Sequence, residues 1–104
     1  MKKQRTNWNP VVASLLSKLQ QAGFTLVSAE GQTLEGTDRD RRQQAKKYIC
    51  AVEESYLYVE DSEGVSKWLF IVLGNEAHEI VNDCSCSGLD DVLDEFENHW
   101  INKV

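Results

Sequence analysis

The chain has 104 residues, 41% of them apolar and 27% charged, with a net charge of −6. This balance fits one globular domain with a modest core and excludes a disordered chain or a repeat array. The negative net charge argues against general nucleic-acid binding, which depends on neutralising phosphates with Lys and Arg.

The charge is unevenly placed. Residues 1–52 carry nine Lys/Arg and four Asp/Glu, whereas residues 53–104 carry two and thirteen. The first reading is two solvated faces that attract one another within the fold; the second is an oriented contact surface. The basic start Met1-Lys2-Lys3-Gln4-Arg5 is followed by no uninterrupted apolar segment, and no run is long enough to cross a bilayer. The three cysteines are an odd number. Together these point to a cytoplasmic protein with reduced thiols. One domain over 1–104 is expected, with 1–8 as a polar tail prone to fraying.

Asn9 suits an N-cap and Pro10 the first helical position. Val12, Leu15, Leu16 and Leu19 share one helix face, and Gly23 suits a left-handed end. A helix over 10–22 follows. Phe24 to Glu30 reads as a strand with Phe24, Leu26 and Ser28 on one face. Gly31 to Gly36 reads as a loop in preference to a hairpin. Thr37 can cap a second helix with Asp38 and Asp40 in its first turn. That helix has a thin apolar stripe of Ala45, Tyr48, Ile49 and Val52. The rest of its surface is basic, including Arg39, Arg41, Arg42 and Lys46.

Tyr56 to Glu60 reads as a strand, and Asp61 to Gly64 as a turn. Lys67-Trp68-Leu69-Phe70-Ile71-Val72-Leu73 is the most apolar run of the chain. Both of its alternating sets are apolar, so it is expected as a central strand covered on both faces. Glu79 to Cys84 resumes strand chemistry more weakly. Short links make 56–84 an antiparallel meander, placed at the centre of a mixed sheet. Ser87 can cap the last helix, with Asp90 third in it. Leu89, Val92, Leu93, Phe96 and Trp100 form its apolar stripe, opposed by Asp90, Asp91, Asp94, Glu95 and Glu97. This helix should cover one face of the sheet, and helix one or two the other. The class is α+β, in the order α-β-α-β-β-β-α.

Cys84-x-Cys86 is the most suggestive local pattern, with His78 as a third candidate ligand. Two same-facing thiols fall short of the four ligands of structural zinc, and nearby carboxylates oppose thiolate formation. Buried thiols are the simpler reading. His78 reads as a surface histidine rather than a general base, and His99 as a surface partner of Glu95. Carboxylate pairs are too abundant for any one to stand out as an acid/base dyad. No phosphate loop, nucleophile elbow or H-E-x-x-H pattern is present. No enzyme activity, cofactor or metal is therefore expected. Tyr56, Tyr58, Trp68 and Phe70 resemble a base-stacking platform in type, but acidic surroundings make core packing the preferred use.

The stretch Trp68 to Glu76, with Glu79 to Asp83 and an acidic terminal helix, resembles small uncharacterised acidic proteins encoded on bacterial plasmids and phages. The resemblance covers the second half of the chain. It implies an interaction factor rather than a catalyst, and brings no cofactor or catalytic residue. The leading expectation is thus a non-enzymatic cytoplasmic module that binds a protein partner or a second copy of itself, with no membrane partner. Its candidate surfaces are Asp90, Asp91, Asp94, Glu95 and Glu97, and Arg39, Arg41, Arg42 and Lys46. A variant is an inhibitor whose acidic face imitates nucleic-acid phosphates. The alternatives are a thiol or metal site at Cys84 and Cys86, and an enzyme with a pocket between the sheet and the second helix.

Overall fold

The computed structural model describes residues 7–74, 76–85 and 88–101. Most of the expected N-terminal tail, Ser87 and Cys86 lie outside them.

The first apolar stripe forms α1 (Asn9–Gln21), with Val11, Val12, Leu15, Leu16 and Leu19 buried. Asn9 is inside the helix, not its cap. Asn7 Oδ1 takes the Asn9 N–H at 3.1 Å, so the side-chain oxygen that relieves the helix start comes two residues earlier. Gly23 ends the helix at φ +101°. Its N–H reaches Gln20 O at 3.1 Å, and that of Phe24 reaches Leu19 O at 3.0 Å. This pair of bonds satisfies the last carbonyls and needs a left-handed residue between them.

α2 (Asp38–Cys50) starts on the expected cap. Asp40 N–H donates to Thr37 Oγ1, and Thr37 N–H to Asp40 Oδ2, each at 3.1 Å. Only Ala45 and Ile49 of this helix are buried. α3 (Asp90–Ile101) buries Val92, Leu93 and Phe96. Asp90 opens it instead of standing third.

The strands are β1 (Thr25–Ala29), β2 (Gln32–Thr33), β3 (Glu54–Glu60), β4 (Ser66–Val72) and β5 (Val81–Cys84). Their spatial order is β2-β1-β3-β4-β5. The α+β class and the antiparallel meander β3-β4-β5 stand, but the meander reaches the sheet's edge at β5 and does not form its centre. The sheet, however, is antiparallel at every pairing, not mixed. Residues 31–36 are also not purely a loop. Glu30 (φ 53°) and Gly31 (φ 75°) both take positive φ, which lets a two-residue turn pair Ala29 with Gln32. β5 starts only at Val81, because Ala77–Glu79 wind into a turn of 3-10 helix.

Two further features of the sheet depart from the expected pattern and matter for function. In β1, Leu26 pairs with Val59 but Ser28 pairs with Tyr58, so Val27 is an extra residue in the strand. That bulge turns Ser28 to the face opposite Leu26 and brings Ala29 inward. The second concerns the apolar run of β4. Lys67, Leu69 and Ile71 are buried, while Trp68, Phe70 and Val72 are only partly covered. Among the described residues the sheet does not have a helix on each side. Leu26, Leu57, Val59, Leu69 and Ile71 join one core with Leu15, Leu16, Ile49 and Phe96, so all three helices lie over one face. α1 touches both α2 and α3, and a single layer consumes the helices. The aromatic side of β4 is shielded by its neighbours' rings instead.

Both edges of the sheet are blunted. β2 is two residues long. β5 has four residues and a register break, and Asp83 Oδ1 takes the Cys84 N–H at 2.8 Å. Among the described residues no helix is long and apolar enough to cross a membrane.

Asp61 closes the β3–β4 turn. Its Oδ1 accepts the N–H of Val65 and of Glu63, each at 2.9 Å. The Val65 bond foremost, then the Glu63 N–H, the Lys67 charge and the Gly64 N–H, hold the carboxyl below the ordinary aspartate value. A depressed carboxyl stabilises the fold above its unfolded pKa, and the contribution disappears as pH falls through the folded value. Asp61→Asn should therefore differ from wild type in urea midpoint at neutral pH. The gap should close in the acid range below the ordinary carboxylate pKa.

Ser55 sits on the helix side of β3, buried, with no hydrogen-bond partner for its Oγ among the described residues. An unpaired buried hydroxyl carries a desolvation cost. Ser55→Ala should raise stability by about 1 kcal/mol, read as a higher urea midpoint with an unchanged slope.

Candidate binding face

Alternation on β3 points Ser55, Leu57 and Val59 to the helices and Glu54, Tyr56, Tyr58 and Glu60 away from them. The β3–β4 register sets Tyr56 opposite Phe70 and Tyr58 opposite Trp68. Tyr56 is the hub. Its ring lies 4.9 Å from Phe70, 5.8 Å from Trp68 and 6.4 Å from Tyr58, measured between centroids. These contacts are tilted or edge-on, as ring quadrupoles prefer. They leave Tyr56 48% and Tyr58 40% exposed in the middle of the sheet. The four rings are thus not core residues but the centre of an open face.

The rim of this face is acidic on three sides. Glu54 pairs with Val72 at one end of the strands, and Glu60 with Ser66 at the other. Asp83 stands opposite Phe70 on the β5 side. The fourth side carries Ser28 beside Tyr58 and Thr33 beyond it. Among the described residues no Lys or Arg holds a register position on this face. Lys67 is on the helix side, with Nζ 4.0 Å from Asp61 Oδ2. The face offers apolar burial, ring faces for cation–π contact and carboxylates for a cation.

Sequence reasoning missed this face, yet a signal was present. Glu54, Tyr56, Tyr58 and Glu60 share one parity, and charged residues bracketing two tyrosines mark a solvent-facing set.

The acidic residues of α3 are where the spacing puts them. Asp90, Asp91, Asp94, Glu95 and Glu97 are all exposed. Asp90, Asp94 and Glu97 rim a shallow concavity of about 250 Å³ between α3 and β5, floored by Val81 and Leu93. The basic residues of α2 are less free than expected. Arg41 Nε donates to Gly36 O at 3.0 Å, and its Nη1 to Leu26 O at 2.9 Å, beside the bulge. Arg42 Nη1 donates to Gln20 Oε1 at 2.7 Å, and Gln20 Nε2 to Asp38 O at 2.8 Å. Both arginines stitch α2 to its neighbours. Arg39 remains exposed, and Lys46 is half-buried.

Cys84 is half-buried and sits opposite Leu69. Its expected companion Cys86 lies outside the described residues. His78 is in the 3-10 turn, with Nε2 3.6 Å from Glu79 Oε2. Among the described residues, no three of His, Cys, Asp and Glu come together to hold a metal. His99 sets its ring edge-on to Trp100 at 5.2 Å. Burial pushes the Cys50 thiol above its ordinary pKa, with Lys46 opposing. No family model matches the chain, and neither a curated protein nor a solved structure matches it.

Proposed function

We propose that the protein is a non-enzymatic interaction module that binds a protein partner across the open face of its sheet. The observation that carries this reading is the exposure of Tyr56 and Tyr58 at the centre of a four-ring cluster. Tyrosine and tryptophan supply large contact area at low entropic cost, and they are the residues on which binding energy concentrates. Nucleic acid is a poor occupant, since stacking platforms work together with cationic grooves, and this face is rimmed by carboxylates. The exposed acids of α3 form a second field nearby, which would raise the encounter rate with a basic partner in a salt-dependent way.

Affinity capture tests this with three proteins: wild type, Tyr56→Ser/Tyr58→Ser, and Asp90→Asn/Asp91→Asn/Asp94→Asn. Wild type should recover one specific protein. The tyrosine variant should lose it at every salt concentration, and the helix variant should weaken recovery mainly at low salt. Recovery that is indifferent to the tyrosines and lost with the helix acids would move the contact to α3.

A further inference from the structure

We infer that the occupant of the open face is an extended, arginine-bearing segment of the partner, lying along β3 and β4 with guanidinium groups over the rings and its ends held by Glu54 and Glu60. This rests on reading the open face as the contact surface, and it names the chemistry that the surface selects.

Three observations converge. The first is charge. Glu54, Glu60 and Asp83 surround the rings, and no basic residue answers them from the same face among the described residues. An unanswered carboxylate rim favours a cation and repels a second copy, whose matching face would bring the same rim. The second is the ring cluster. The exposed faces of Tyr56 and Tyr58 lie between those carboxylates, so a cation drawn to the rim also meets π-faces. A guanidinium is planar and weakly hydrated, stacks on rings and still reaches a carboxylate with its fork, whereas an ammonium does this less well.

The third is spacing. Tyr56 and Tyr58 are two residues apart, and Glu54 and Glu60 flank them at two residues on either side. Same-face residues along a strand repeat at about 6.8 Å, and an extended peptide repeats its own side chains at the same interval. A segment of about seven residues would span from Glu54 to Glu60, roughly 20 Å. Alternate arginines would then fall in register with rings and acids. A helix, rising 5.4 Å per turn, would lose register over that span.

The test is an amide NMR titration of wild type with a synthetic nine-residue peptide alternating Arg and Thr, at about 50 and 500 mM salt. Shifts should centre on Glu54, Tyr56, Tyr58, Glu60, Trp68 and Phe70. Citrulline in place of Arg keeps the planar shape and removes the charge, and should weaken binding at least ~10-fold; Lys in place of Arg should weaken it ~3-fold or more. Glu54→Gln/Glu60→Gln should weaken binding ~3–10-fold, and Asp90→Asn/Asp94→Asn should weaken it only at the lower salt concentration.

Equal binding by the citrulline peptide, shifts centred on the β5–α3 concavity, or equal affinity for a nine-nucleotide single strand would each overturn the inference. So would a concentration-dependent dimer in sedimentation that the tyrosine substitutions abolish, because the occupant would then be a second copy. If the peptide fails while tyrosine-dependent partner capture persists, the arginine inference falls and the open-face reading stands. If capture is also indifferent to the tyrosines, both fall. The citrulline peptide and the glutamate variant decide the question even if the tyrosine variant does not fold.

Discussion

Phe96→Ala should lower stability by about 3–5 kcal/mol, which is most of the stability that a small domain has. Phe96 is fully buried and is the largest such side chain among the described residues. It stands on α3, at the centre of a stripe with Val92 and Leu93, and belongs to the cluster that joins the helices to Leu57, Leu69 and Ile71. Truncation removes the ring's transfer free energy and leaves a cavity that the surrounding strands and α1 cannot close without moving. The expected readout is a thermal midpoint lower by more than ~12 °C, since each kcal/mol is worth about 4–8 °C in a domain of this size. A shift of only a few degrees would mean that α3 is weakly docked. The one-sided packing described above would then be wrong.

The second large effect separates binding from folding. Tyr56→Ser/Tyr58→Ser should abolish partner binding, a loss of at least ~100-fold, since central aromatic anchors typically contribute 2 kcal/mol or more each. The same change should cost the fold only about 1–2 kcal/mol, because it removes cross-strand ring contacts and no core volume. Leu57→Ser, at the intervening position of the same strand, should do the reverse at the level of stability. Leu57 is fully buried, and its loss should cost several kcal/mol. Urea denaturation of both variants, alongside the capture experiment, reads this contrast directly. If both variants are equally destabilised, both faces of β3 are structural. If neither is, the strand does not alternate as described.

These contrasts show which parts of the fold the sequence made legible. Local chemistry was readable wherever one side chain decides a terminus. Thr37 and Asp40 bond each other's backbone across the start of α2, and Gly23 takes the left-handed conformation that ends α1. The α3 stripe was readable because its period leaves Phe96 only one place to go. The covering of β4 was not. Trp68, Phe70 and Val72 are as apolar as Leu69 and Ile71, and hydrophobic pattern cannot tell rings buried under a helix from rings that shelter one another. The bulge at Val27 was equally hidden, because one extra residue reverses every later side chain without any change in composition. Its consequence reached the candidate site. Beside the bulge, the Leu26 carbonyl takes Arg41 Nη1, so a side chain that looked free for an outside partner is occupied within the chain. The acids of α3 kept their expected exposure, since an exposed helix face needs nothing from the rest of the molecule.

The treatment of the sheet's two margins bears on how large a complex can grow. A third molecule cannot be recruited by main-chain pairing when one outer strand is two residues long and the other has the Asp83 carboxylate lying across an amide. On the proposed reading, recruitment falls to the aromatic side of the sheet, which one guest segment would fill. Complexes of this protein should therefore stop at a definite stoichiometry, one guest per copy, rather than lengthen into fibres, even when the protein is crowded.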